Sequence, residues 1–71
     1  MFAKTLTHDG HTRQFSIHEA GTDGWQLHET QDSRVVRLAR YRDWHRVERA
    51  RRAFELQVAH LERNGWTAAD V

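Results

Sequence analysis

The sequence predicts an α+β fold in two layers: a four-stranded antiparallel β-meander packed against one long C-terminal helix. Three observations carry this. Apolar residues alternate with polar ones through the first 41 positions, in short runs separated by turn signals. From Asp43 onward the apolar period changes to the 3–4 spacing of a helix. The chain has only 71 residues, so it can hold one core and one small domain, spanning 1–71.

The strands follow in order. Phe2, Lys4 and Leu6 share one parity and predict a strand over about 2–7, closed by Asp9-Gly10, a favoured two-residue hairpin turn. Phe15 and Ile17 alternate with Gln14, Ser16 and His18, giving a strand over 13–19. Gly21-Thr22-Asp23-Gly24 breaks the chain, with two glycines flanking two turn formers. Trp25 and Leu27 alternate with Gln26 and His28 over 25–30. After the polar break Gln31-Asp32-Ser33, the run Val35 to Tyr41 completes a strand over 34–41.

Parity constrains the register, because a one-residue slip turns a strand's apolar set to water. Pairing Ile17 with Leu27 leaves a five-residue loop, Ala20 to Gly24, and sets His18 against Gln26 and Ser16 against His28. For the next hairpin, pairing Leu27 with Val36 sets Trp25 against Leu38 and Glu29 against Arg34, a cross-strand charge match. The face away from the helix then carries Gln14, Ser16, His18, Gln26, His28 and Arg37, a polar contact surface.

Asp43 is a suitable N-cap for a helix over 44–64, and Gly65 stands where a C-terminal glycine belongs. Trp66 is placed to fold back on the last turn, as in a Schellman motif. Trp44, Val47, Arg51, Phe54, Val58 and Leu61 form the inward stripe, with Glu48, Glu55 and Glu62 along one edge. The expected core is Phe2, Leu6, Phe15, Ile17, Trp25, Leu27, Val36, Leu38, Trp44, Val47, Phe54, Val58 and Leu61.

Composition removes several classes of function. Without Cys there is no disulfide framework, thiolate zinc site or thiol nucleophile. No apolar run approaches the ~20 residues of a membrane span. The N-terminus lacks a basic-then-apolar leader pattern, which goes with a cytoplasmic location. The glycines are too few and scattered for a phosphate-cradling loop, and Ser16 near His28 has no evident orienting acid. The expectation is a non-enzymatic protein with no cofactor, no metal and no small-molecule substrate. Six His are present; His8 and His11 face each other across Asp9-Gly10, but a structural zinc site asks for four good ligands.

The formal charge of +1 conceals an uneven distribution. Residues 1–33 carry Lys4 and Arg13 against Asp9, Glu19, Asp23, Glu29 and Asp32, a net of −3. Residues 34–52 carry Arg34, Arg37, Arg40, Arg42, Arg46, Arg49, Arg51 and Arg52 against Asp43 and Glu48, a net of +6. Residues 53–71 return to −2, with Arg63 against Glu55, Glu62 and Asp70. Such a block is the footprint of a polyanion binder, and it equally suits a solvated, salt-bridged surface. Tyr41 and Trp44 interleave with it, as in base-stacking surfaces, although Trp44 also heads the apolar stripe.

Two readings of function follow. The first is a small interaction module acting through protein contacts, as a homodimer, since a core this thin usually needs an added staple. The second is nucleic-acid binding through Arg34, Arg37, Arg40, Arg42, Arg46, Arg49 and Arg52. In topology alone, the ββββα order resembles that of dimeric single-stranded-DNA-binding transcription cofactors, which implies no residue roles here.

Overall fold

The computed structural model describes residues 2–69, apart from the side chain of Asp23. Strands β1 (Phe2–His8), β2 (His11–Glu19), β3 (Trp25–Gln31) and β4 (Arg34–Tyr41) form the antiparallel meander, and helix α1 (Trp44–Arg63) follows. A short 3-10 turn over Gly21–Asp23 lies between β2 and β3. A two-residue strand, β5 (Thr67–Ala68), was not foreseen in the sequence; it pairs with β1 and extends the sheet to the order β4-β3-β2-β1-β5. The α+β architecture is therefore as expected, with one added edge strand.

The β2–β3 register is the expected one: Ile17 pairs with Leu27, His18 with Gln26 and Ser16 with His28. The β1–β2 turn places Asp9 and Gly10 at φ of 49° and 79°, the positive pair that a type I′ hairpin turn demands. The 17/27 pair centres a core of Leu6, Phe15, Ile17 and Leu27 from the sheet with Val47, Phe54, Val58 and Leu61 from α1. The Phe54 ring lies 5.2 Å from that of Phe15 and 6.1 Å from that of Phe2, fastening the middle of the helix over β1 and β2.

The β3–β4 register departs from expectation. Asp32 and Ser33 both adopt positive φ, 49° and 68°, so the hairpin closes through two residues, with Gln31 opposite Arg34. A bulge then inserts Val36 between the pairs Thr30–Val35 and Glu29–Arg37. Beyond it Leu27 faces Ala39 and Trp25 faces Tyr41, in place of the expected Val36 and Leu38. The bulge reverses parity: Arg37, Ala39 and Tyr41 point to the helix, and Leu38 and Arg40 point away. A regular ladder from the same turn would set Arg40 against Trp25 inside the protein. The inserted residue exchanges it for Tyr41.

Three expected core residues are outside. Val36 and Leu38 are exposed because β4 changes face, and Arg37 moves from the open face to the helix side. Trp44 stands at the first helical position, where it covers Trp25 with ring centroids 5.2 Å apart and remains 46% exposed. Phe2 and Trp25 pack at the rim of the core, half-buried.

The helix ends are built as the sequence implies. The Asp43 carboxylate accepts from the His45 N–H at 3.0 Å. The helix closes at Arg63, with Asn64 as its cap. Trp66 N–H donates to the Leu61 carbonyl at 3.0 Å and Gly65 N–H to that of Glu62 at 3.3 Å, a complete Schellman motif with Gly65 at φ 98°. Trp66 thereby stacks near His8, whose Nδ1 lies 3.0 Å from the Gly65 carbonyl oxygen. The chain then turns along β1 to form β5.

Candidate functional site: the β4 margin

The basic block divides once it is folded. Arg34 flanks the Asp32-Ser33 turn, Arg40 lies on the open face of the sheet, and Arg42 stands exposed in the β4–α1 connection. Arg52 borders a shallow depression on the outer side of the helix with His45, Glu48 and Arg49. Arg37, Arg46 and Arg49 converge. With Tyr41, Ala50 and Ala53 they line a groove of about 490 Å³ between the helix side of β4 and one flank of α1.

Helical geometry explains the convergence. Positions 46, 49, 50 and 53 occupy one flank of α1, and positions 48, 51 and 55 the other. On that second flank Arg51 donates to Glu48 at 2.8 Å and to Glu55 at 3.4 Å. The two carboxylates hold the Arg51 guanidinium pKa above its ordinary value, chiefly through the hydrogen bond that Arg51 donates to Glu48. Two of the three helix carboxylates, those of Glu48 and Glu55, are thus engaged away from β4. Cross-strand from Arg37 stands Glu29, whose carboxylate is taken by Arg13 at 3.0 Å. Arg37, Arg46 and Arg49 have no ion pair or hydrogen-bonding side-chain partner among the described residues.

Glu29 pairs with Arg13 rather than with Arg34, the cross-strand match that the sequence suggests. Both side chains are largely buried, 17% and 10% exposed, and the Arg13 guanidinium lies 5.5 Å from the centre of the Phe15 ring. The available signal was that Arg13 and Phe15 share a parity, so both face the helix. Ala50 and Ala53 were also passed over; small residues three apart beside two Arg are what leave room for a groove.

The open face of the sheet has a different chemistry. Thr5, Gln14, Ser16, His18, Gln26, His28, Thr30, Val35, Leu38 and Arg40 point to it. Arg40 is the one formally charged strand residue on this face among those described. Lys4, Arg13, Glu19, Glu29, Arg34 and Arg37 all lie on the helix side. Neutral side chains bond across the strands: Gln14 to Thr5 at 3.4 Å, Thr30 to Gln14 at 3.3 Å, and His18 with Gln26 at 3.2 Å. Val35 and Leu38 add exposed apolar surface beside them, at 57% and 55%.

His8 and His11 stand opposite each other across the first turn, but their rings take different partners. His8 contacts Asp9 and the Gly65 carbonyl, whereas His11 Nδ1 lies 3.0 Å from the Asp32 carboxylate. Among the described residues, no three His, Asp or Glu side chains gather as a metal-binding group. No described helix is long and apolar enough to cross a membrane. No family model matches this chain, and neither a curated protein nor a solved structure matches it.

Proposed function

We propose that this chain is a small non-enzymatic interaction module that self-associates through the open face of its sheet. The observation that carries the reading is the near-absence of formal charge on that face, in a chain where 30% of residues are charged. Protein interfaces are depleted of charge at their centres, because each buried ion must be desolvated. A second copy is the occupant that fits. Two neutral faces meet without like-charge repulsion, and Thr, Gln and Ser supply donors and acceptors that complement themselves across a two-fold axis. Val35 and Leu38 would lose their exposed surface in the contact.

Light scattering after size exclusion tests this. The parent is expected to run as a dimer and Leu38→Glu as a monomer with an unchanged far-UV spectrum. A parent that stays monomeric at millimolar concentration overturns the reading.

A second reading, nucleic-acid binding through the Arg block, draws support from three Arg that line one groove whose walls hold no acidic residue. Titration with single- and double-stranded oligonucleotides at two salt concentrations is its test. Steeply salt-dependent binding that is lost in Arg46→Gln/Arg49→Gln supports it, and no binding at low salt removes it.

A further inference from the structure

Strand β4 ends the sheet, so one side of its backbone has no strand partner among the described residues. Beyond the bulge, Arg37 to Tyr41 form a regular stretch of edge. An unpaired strand edge is a template for another extended chain, and proteins commonly blunt such edges with charge and bulges. Both devices are present here, yet they act selectively. The bulge interrupts only the turn end of β4. The charge is all of one sign, with Arg37 on the strand and Arg46 and Arg49 facing it across the groove. A second copy of β4 would bring Arg against Arg. A strand of opposite charge would meet complementary groups.

We propose that the β4 margin receives an extended acidic segment of a partner protein, added antiparallel or parallel as a sixth strand. Backbone hydrogen bonds along Arg37–Tyr41 supply the affinity, and alternate side chains supply the choice. Asp or Glu side chains on the helix side enter the groove and meet Arg37, Arg46 and Arg49. Apolar side chains on the other side lie beside Leu38. The recognised pattern is therefore a short run of alternating acidic and apolar residues.

Two features favour a peptide over nucleic acid at this groove. It borders a strand edge that no described strand pairs with, which a peptide can extend and a phosphodiester chain cannot. Its aromatic wall, Tyr41, is half-buried against the core cluster opposite Trp25, which limits the ring face left for a base. The proposal rests on the reading that this chain works through protein contacts, and it uses the strand's edge where self-association uses the sheet's face.

The test is fluorescence anisotropy with a labelled peptide of about ten residues alternating Glu and Val, its termini blocked. The expected result is saturable binding that weakens with salt, falls more than tenfold in Arg46→Gln/Arg49→Gln, and falls similarly in Ala53→Glu. The same peptide with one central Val replaced by Pro should also bind more than tenfold more weakly, because Pro removes a ladder donor. Amide exchange on the bound protein should slow between Arg37 and Tyr41.

Equal binding of the Pro peptide overturns strand addition. Unchanged affinity in both groove variants, each folded by circular dichroism, overturns the groove. Displacement of the peptide by a single-stranded oligonucleotide at much lower concentration assigns the groove to nucleic acid and overturns the proposal. Failure here with a dimer by light scattering leaves the self-association reading standing; a monomer that binds the peptide does the reverse.

Discussion

Asp32 and Ser33 show how much one turn asks of single residues. Both occupy the left-handed region, which costs an L-residue roughly 1–2 kcal/mol unless a side chain offsets it locally. Asp is among the residues that tolerate it; Ser has less recourse. Ser33→Gly should therefore raise stability by about 0.5–1 kcal/mol after the glycine's greater unfolded-state freedom is discounted. Urea denaturation measures this, and a loss of stability would show that the Ser33 side chain contributes something the turn needs.

Asp32 also ties the turn to β2. Its carboxylate accepts from the Thr12 N–H at 2.9 Å and contacts His11 at 3.0 Å. These contacts, the Thr12 bond first, hold its pKa below the ordinary carboxylate value. A carboxyl group with a depressed folded-state pKa stabilises fully above its unfolded-state value, and the benefit is lost as pH falls through the folded value. Asp32→Asn keeps the acceptor for Thr12 and tolerates positive φ, but removes the charge. The variant should be less stable than the parent at neutral pH, with the gap closing below the ordinary carboxylate range. A gap independent of pH would assign the effect to packing.

At the scale of elements, the bulge in β4 and the Arg13–Glu29 pair belong together. The pair sits on the helix side where β4 bends, and Arg13 Nε is buried there with no hydrogen-bond partner. Breaking a largely buried pair from one side strands the other charge, which costs more than the intact pair contributes. Glu29→Gln should cost about 1–3 kcal/mol. Adding Arg13→Leu should recover part of it, so the cycle shows coupling rather than two additive losses. Additive losses would mean the two side chains act independently. The hinge before β3 is equally demanding. A β-carbon at Gly24 would press on the Tyr41 carbonyl oxygen and lie 2.9 Å from Arg42 Cα, so glycine alone lets β3 start this close to the end of β4.

At the scale of the molecule, eight buried apolar side chains form the core of the described residues, four from the sheet and four from α1. Phe54 packs its ring against two sheet rings at once, those of Phe15 and Phe2. Phe54→Ala should cost about 3–5 kcal/mol and Leu27→Ala about 2–5 kcal/mol, from lost burial and the cavity left behind. Thermal unfolding checks both. In so thin a core, either loss consumes a large part of the total stability. A variant that retained the parental midpoint would place the core elsewhere.

What the sequence determined by itself was set by local periodicity and by residues with few conformational options. Asp9-Gly10 specified its hairpin turn, Asp43 and Gly65 marked the ends of α1, and the parity of Ile17 and Leu27 disfavoured every register with an even-length loop. The same logic failed at β4. Val36 and Leu38 are apolar and alternate, so pattern alone places them inside, and nothing local announces the bulge that turns them out. Only the packed structure decided that. The space under the helix takes Ala39 and Tyr41 opposite Leu27 and Trp25, and the inserted residue turns Arg40 to the open face. The candidate site followed the same division. The Arg block was legible as charge along the chain, but which three groups converge depends on where β4 meets α1, a long-range packing choice that no run of neighbouring residues encodes.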